Sequence, residues 1–380
     1  MYSSFPHIKA VPSIPPVRAT GQTDPAPHDG ETQRPKRRST MPKVARFHQL
    51  GGPEVLQIDE IAFEDPAAGE LLLKVSAIGI NRMEVFFRAG GFGPPKAFPA
   101  MLGSECAGTV LAIGQGVTGF AIGDRVATIP GFTSVPGFAT KMKGHECAVY
   151  GEQAYVPAEM AVKIPNGMSF VDGAALWMQY STAWNSMVDT AQLQKGEYVL
   201  LTAATSSVGI AAAQIAKSQG AIPICTTRSQ SKVAALKSLG IEHIIVTDEQ
   251  DIATEVTRIT GGVGCRVIYD PVAGKGISTL LDAVAINGMI LIYGVLDLAP
   301  AMIDPLKGMA KFATIKFSAV FQTLLNAKKR VKMTEFVLKG VANGALKPVV
   351  DKTFPFKDIA KAHRYLESNQ HIGKVVVTVD

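Results

Sequence analysis

The residues best suited to chemistry fall into two short clusters. The first is Ala203-Ala-Thr-Ser-Ser-Val-Gly209, between an apolar run, Tyr198-Val-Leu-Leu-Thr-Ala203, and an Ala/Ile/Gln/Lys stretch from Val208 to Ser218. Small residues at a strand-to-helix turn let backbone amides and a helix N-terminus face a pyrophosphate. Of the three glycines usual in such a turn only Gly209 is present, so an ordinary strand–turn–helix with serine as N-cap explains the string equally well. The second cluster is Thr226-Thr-Arg-Ser229 with Lys232, at the end of the next apolar run. An NAD-binding unit places Asp or Glu about 20 residues after its glycine turn to hold the ribose 2′-hydroxyl. No acid occurs between Gly209 and Glu242. Arg228 can instead fork onto a 2′-phosphate, Lys232 can add a point charge and Ser229 a hydroxyl donor. A solvated basic loop is the plainer alternative.

Metal chemistry finds little support in the string itself. Cys106, Cys147, Cys225 and Cys265 are widely separated and form no CxxC pair, which argues against a disulfide framework and for isolated thiols in a reducing compartment, the cytosol. Gly144-His-Glu146 has the composition of a ligand motif, but a lone His-Glu pair is more often a surface dipeptide.

These clusters need elements to carry them. From Met41 to about residue 165, short Val/Ile/Leu runs punctuated by Gly and Pro predict a compact, barrel-like β domain; Lys43–Phe47, Leu71–Val75, Gly108–Gly114 and Gly123–Thr128 are its clearest segments. From residue 168 the rhythm changes to strand–helix alternation. Strands are predicted at 198–203, 222–226, 243–246, 266–269 and 290–293, with helices over 208–218, 232–239 and 252–260, which implies a doubly wound parallel sheet. Pro223 fits best at the start of its strand. The last 60 residues predict helices over Phe321–Asn343 and Ile359–Ser368 and a closing strand, Lys374–Thr378, that return to the β domain.

Composition bounds the partners. The 380 residues are 47% hydrophobic and 18% charged, with a formal charge of +6. Half of that excess lies in residues 1–40, a proline-rich stretch with six basic and three acidic side chains. It is expected to be a disordered leader without a signal peptide, and Met41 to be a candidate functional start. The remaining 340 residues carry 32 basic and 29 acidic side chains, too even a balance to favour nucleic acid. No apolar run is long enough to span a bilayer.

Gly196-Glu197, Leu200, Ala203-Ala204, Val208-Gly209, Gln214 and Lys217 resemble the cofactor signature of zeta-crystallin-type quinone oxidoreductases, in the medium-chain dehydrogenase/reductase superfamily. Further landmarks are Gly79-Ile-Asn-Arg82, Val117–Val126, Gly151–Pro157, Asp270-Pro-Val272, Ala362–Glu367 and Gly373-Lys374. The resemblance runs from Met41 to Asp380. It implies an α/β architecture: a GroES-like β-barrel catalytic domain (41–167 and 319–380) interrupted by a doubly wound Rossmann domain (168–318). It implies NADPH as cofactor, seated by Thr182, Ser206, Ser207, Val208, Gly209, Arg228, Ser229, Lys232, Tyr293, Gly294 and Lys374. Family members commonly have Gly-Gly where this chain has Ser206-Ser207. The zinc-ligand positions of the alcohol-dehydrogenase branch correspond to Asn81 and Ser104, with no cysteine near Trp177–Tyr180, so no metal is expected.

By the same resemblance Asn81 lies beside the nicotinamide, with Arg82 in its loop. Two tyrosines of well-known members correspond to Phe86 and Phe92, which leaves Tyr180, Tyr155 or solvent as proton donor. Phe86, Phe87, Phe92, Trp177 and Trp184 could line a ring-accepting pocket or simply pack the core. The implied activity is hydride transfer from NADPH to a quinone or α,β-unsaturated carbonyl, with a small hydrophobic carbonyl or quinone as substrate. A stand-alone enoyl reductase of a biosynthetic pathway and a non-catalytic NADPH-binding structural or regulatory protein are the alternatives. Relatives form dimers or tetramers, so a homodimer or homotetramer is expected.

Overall fold

The structure, a computed structural model, describes residues 41–91, 93–130, 145 and 147–380. The expectations for the leader 1–40, for Phe92 and for the Gly144 and Glu146 members of the His-Glu motif lie outside the described residues. The first part of the chain folds into β1 (Lys43–Phe47), β2 (Leu56–Glu60), β3 (Glu70–Ile80), β4 (Ala100–Met101), β5 (Cys106–Ile113), β6 (Arg125–Thr128), β7 (Gln153–Pro157) and β8 (Ala161–Lys163). The long β3 organises them. It pairs antiparallel with β5 and β7, and its Leu71, Leu73, Val75, Ala77 and Ile78 are fully buried. Helix α1 (Arg82–Arg88) follows β3 directly.

Two short helices, α2 (Phe170–Gly173) and α3 (Trp177–Trp184), lead into a π-helical turn at Asn185–Thr190 and then the second sheet. This sheet holds β9 (Tyr198–Leu201), β10 (Ile222–Thr227), β11 (His243–Val246), β12 (Cys265–Asp270), β13 (Val284–Ile292) and β14 (Thr314–Phe317). Every pairing is parallel, in the order β11-β10-β9-β12-β13-β14. Strand direction of connection therefore reverses between β9 and β12, the place where such sheets open a crevice for ligands. Helices α4 (Ser207–Ser218), α5 (Val233–Ser238), α6 (Ile252–Thr260), α7 (Ile277–Ala283) and α8 (Pro305–Lys311) connect the strands. Pro223 is the second residue of β10, before that strand's pairing with β11 begins at Ile224, so no bond to β11 is lost.

The predicted continuous helix over Phe321–Asn343 is two helices, α9 (Phe321–Leu324) and α10 (Ala327–Ala342). The Asn326 side chain accepts from the Lys329 amide and starts the second helix anew, as asparagine does at an N-cap. The chain then forms β15 (Val350–Pro355), α11 (Ile359–Glu367) and β16 (Lys374–Thr378). Strand β16 lies between β15 and β3, with Val375 opposite Ile80, so the last residues complete a seven-stranded sheet begun three hundred residues earlier. No helix of the described residues is long and apolar enough to cross a membrane.

Candidate functional site

The small-residue turn sits at the reversal point of the sheet. Ser206 is the N-cap of α4 and its Oγ accepts from the Gly209 amide at 3.1 Å. A Cβ on Gly209 would lie 2.7 Å from Ala204 Cα and 2.8 Å from Ala204 O, so only glycine lets helix and turn approach this closely. Ala203 takes the left-handed conformation, with φ 47°. The amides of Ser207 and Val208 donate to no described backbone or side-chain acceptor. They form, with Gly209, the positive end of a twelve-residue helix, which is the chemistry of a diphosphate seat.

At the end of β10 the basic residues divide their duties. Arg228 is exposed, and its guanidinium has no hydrogen-bond or ion-pair partner among the described residues. Lys232 is committed: its ammonium donates to Asn369 O at 2.8 Å, His371 O at 3.2 Å and Thr205 Oγ1 at 3.4 Å. Burial and the nearby Arg228 charge hold its pKa below the ordinary lysine value. Ser229 Oγ caps the following turn by accepting from the Ser231 amide. The two cations, both expected at a 2′-phosphate, are held differently. Lys232 straps the turn after α11 to the dinucleotide loop, and Arg228 is the free donor.

The second concentration of polar groups surrounds Asn81, at the junction of β3 and α1. Lys374, 1% exposed, donates to Asn81 Oδ1 at 2.7 Å and to Glu105 Oε2 at 2.5 Å. Glu105 is fully buried and its other oxygen accepts from the Met178 amide. The Asn81 side-chain nitrogen faces Gly79 O at 3.2 Å and Glu105 Oε2 at 3.4 Å. Glu84 accepts from the Asn81 amide, from the Ser104 amide and hydroxyl, and from the Tyr150 hydroxyl. Burial works against its charge and pushes its pKa up, while Lys374 and these donors oppose the rise. Behind Glu84 the chain continues through Tyr150 to His363 and Arg88, and ends on the partly exposed Glu367.

Gly79 must be glycine here, because a Cβ would strike Ala174 O at 2.1 Å and crowd Lys374. Glu84, Glu105, Tyr150 and His363 were not singled out from the sequence. Only Glu84 carried a local signal, the Asn81-x-x-Glu84 spacing of a capping box.

Three expected site residues have other employment. Arg82 donates to Leu366 O at 2.9 Å and to the Asn369 side chain at 2.5 Å, so it clasps the C-terminal end of α11, where a cation is favoured. Tyr180 is fully buried and its hydroxyl donates to Gln214 on α4 at 2.6 Å, so it braces two helices. The Thr182 hydroxyl bonds back to Met178 O within α3. Tyr155 bonds to Glu64 and stacks on His145, whose ring reaches Glu70 at 2.9 Å; the histidine of the His-Glu motif is thus one half of a local ion-pair contact. Phe87, Trp177 and Trp184 are core residues, 0%, 1% and 4% exposed.

Tyr293 and Gly294 follow β13 at the same edge of the sheet. Gly294 packs on Pro271, whose carbonyl would lie 3.0 Å from an added Cβ. The Tyr293 ring stacks on Tyr269 with centroids 3.9 Å apart. The Tyr269 phenol lies beside the Ser186 hydroxyl and the Tyr293 phenol beside that of Ser206, and burial pushes both pKa values up.

A parallel sheet with a small-residue phosphate turn at its reversal, joined to a β domain whose buried lysine reaches the loop after β3, defines a two-domain dinucleotide-dependent oxidoreductase. Residues 67–166 match the family model of the alcohol dehydrogenase GroES-like domain, and residues 239–377 that of a zinc-binding dehydrogenase. The chain is 30% identical over 349 residues to the 2-haloacrylate reductase of a Burkholderia species, covering 89% of this chain and 99% of that one. The structure of Escherichia coli quinone oxidoreductase complexed with NADPH superposes with a TM-score of 0.78 at 28% identity, over 88% of this chain and 99% of that chain. The CurK enoyl reductase gives 0.78 at 26% identity, over 90% and 100%. The chain belongs to the medium-chain dehydrogenase/reductase family, in the branch that contains the quinone oxidoreductases.

Proposed function

We propose that the chain is an NADPH-dependent reductase that delivers hydride to a quinone or an α,β-unsaturated carbonyl compound without zinc. The observation that carries the zinc-free part is the Lys374 ammonium, held by Asn81 Oδ1 and Glu105 Oε2. It lies against the residues that stand at and next to the metal-ligand positions of the alcohol-dehydrogenase branch. An ammonium buried against those oxygens repels a divalent cation, and Asn81 and Ser104 offer no thiolate or imidazole to attract one. Ser104 is in any case occupied with Glu84.

The cofactor seat fits NADPH through chain features of its own: the Ser207 and Val208 amides at the start of α4, the close approach at Gly209, and the unpaired Arg228 at the end of β10. When bound, NADPH supplies the hydride. Arg228 would hold the 2′-phosphate, and Lys232 holds the loop against the turn at Asn369–His371. Lys374 fixes the Asn81 carboxamide, so that its orientation is set before any ligand arrives. Without a metal to polarise an isolated ketone, a conjugated acceptor suits the site, because its negative charge spreads to an oxygen that hydrogen-bond donors can stabilise. Phe86 cannot donate a proton and Tyr180 is spent on Gln214, so the product takes its proton from solvent.

The likeness to CurK enoyl reductase over 90% of the chain favours one second reading, an enoyl reductase acting on a thioester. Anaerobic NADPH oxidation against quinones, enones and enoyl thioesters, with and without chelator, separates the readings. Turnover of a quinone or enone that chelator leaves unchanged is the expected result; chelator-sensitive alcohol oxidation would overturn the proposal, and turnover of thioesters alone would favour the second reading. A homodimer is built on the face beside β14, which has one partner strand among the described residues. Supporting this, Leu298, Met302, Leu306, Met309, Phe312 and Phe317 are each at least 70% exposed there, an apolar surface typical of association sites.

A further inference from the structure

The Asn81 cluster and the dinucleotide loop stand on different sheets. Asn81 follows β3 of the seven-stranded sheet, whereas Ser206, Arg228 and Lys232 follow β9 and β10 of the parallel one. Lys374 orients the Asn81 carboxamide within its own sheet, but that bond does not set how far Asn81 stands from the loop. The turn from Asn369 to Gly373 touches both sides. Toward the cofactor seat, the Gly373 amide donates to Thr205 O at 2.8 Å, and Gly373 pairs with Ser206 in an isolated parallel bridge. The Lys232 ammonium uses its three hydrogens there, on Asn369 O at 2.8 Å, His371 O at 3.2 Å and Thr205 Oγ1 at 3.4 Å. Toward the β domain, Arg82, the chain neighbour of Asn81, donates to Asn369 Oδ1 at 2.5 Å and to Leu366 O at 2.9 Å.

Both sides meet in Asn369. Its backbone oxygen takes Lys232 and its side-chain oxygen takes Arg82. It holds a left-handed backbone, with φ 58°, a conformation that asparagine tolerates and most residues do not. We propose that Asn369 is a positioning residue for hydride transfer: it locks the Asn81–Arg82 loop to the dinucleotide loop and so sets the distance between Asn81 and the nicotinamide end of the cofactor. Its two oxygens are already committed to Arg82 and Lys232, so it acts through them and touches neither cofactor nor substrate. A displacement of about 1 Å at a reacting centre costs up to about a hundredfold in rate. Two other ties, Gly373 to Thr205 and Lys374 to Asn81, survive the loss of the Asn369 side chain. The displacement is therefore partial, and the expected cost is about five- to tenfold.

This role rests on NADPH being the hydride donor, a premise that the wild type reports on by itself. Asn369→Gly keeps the left-handed backbone and the carbonyl that Lys232 uses, and removes only the acceptor of Arg82. Asn369→Asp puts an acceptor back in the same place. NADPH Kd by titration calorimetry, kcat with a quinone or enone that the wild type reduces, and the isotope effect with NADPH deuterated at the transferred position are measured for each. Asn369→Gly is expected to lower kcat about five- to tenfold, to leave Kd within about twofold and to raise the isotope effect, because hydride transfer becomes the slower step. Asn369→Asp should keep kcat within about twofold of wild type. Arg82→Ala, which leaves the turn's own residues intact, should show the same split as Asn369→Gly. Combining the two should lower kcat less than about twofold further, since they act through one contact. Unchanged kcat in Asn369→Gly and Arg82→Ala, an aspartate variant as slow as the glycine one, an unchanged isotope effect, or fully multiplying losses in the double variant would each overturn the role. A wild type that oxidises NADPH with no acceptor would instead overturn the reductase reading, and this role with it.

Discussion

Removing one oxygen from Tyr150 tests the buried chain behind Asn81. The ring is fully buried; its hydroxyl lies 3.0 Å from Glu84 Oε2 and 3.0 Å from His363 Nε2. The proton order along this chain is fixed by chemistry. Arg88 is a donor only and reaches His363 Nδ1 at 2.8 Å, so the neutral ring carries its proton on Nε2 and donates to Tyr150, which donates to Glu84. Tyr150→Phe leaves the His363 N–H without an acceptor and deprives Glu84 of one of five donors. An unsatisfied buried donor costs about 1–3 kcal/mol, and a hydrogen bond to a charged group contributes about 1.5–3 kcal/mol.

The asparagine amide still serves the same Glu84 oxygen, so the combined loss is about 2–4 kcal/mol. An unfolding entropy of about 2.1 cal/mol/K per residue over the residues from 41 to 380 gives about 0.7 kcal/mol/K. The melting temperature should therefore fall by about 3–6 °C. Calorimetry of Tyr150→Phe beside Tyr365→Phe supplies the comparison, since the Tyr365 hydroxyl reaches Asp351 at an exposed site. A shift for Tyr150→Phe no larger than that for Tyr365→Phe would refute the claim that this chain is a paired, buried network.

Burial and neighbouring arginines push the His363 pKa down to about 3, and burial with Arg82 and Lys232 pushes that of His371 down to about 4. Both rings are neutral in the fold and gain a proton on unfolding below pH 6.5. Stability is thus full above that value and declines as pH falls, by up to about 1.4 kcal/mol per unit for each ring; urea midpoints at pH 7.5, 6 and 5 should drop, and should be flatter in His363→Gln. At the cofactor's adenosine end, Arg228→Ala should cut the preference for NADPH over NADH by about tenfold or more. Lys232→Ala should chiefly lower the melting temperature, and equal effects of the two on cofactor preference would contradict the division of roles. Phe317→Asp should shift a dimer toward monomer in sedimentation, and an unchanged mass would place the association face elsewhere.

The strand–helix alternation from Tyr198 onward was legible because buried parallel strands leave unbroken apolar runs, and Gly209 marked the turn because close packing tolerates no side chain there. The split at Asn326 was hidden by helix-compatible residues on both sides, where only a side-chain cap decides the break. The site was less legible than the sheet. Arg228 and Lys232 look alike in the string, and what separates them is the placement of two carbonyls, Asn369 and His371, more than 130 residues away. Lys374 meets Asn81 across 293 positions, a distance that no spacing or periodicity encodes. Tyr180 was one of three candidate proton sources, and its bond to Gln214 was not legible because that residue lies on a helix whose face toward it is set only by packing.

The placement of β16 has a consequence for how the molecule is made. Strands β9 to β14 are contiguous in the chain and can find one another as soon as residue 317 has been synthesised. Strand β3 cannot gain its central neighbour until residues 374–378 exist, and Asn81 waits on Lys374 for its fixed orientation. During synthesis the nascent chain therefore carries an open, apolar sheet edge along Ala77–Ile80 for nearly its whole length, the kind of surface on which chaperones act. Loss of even the last seven residues would leave the Rossmann sheet intact and the barrel unable to close.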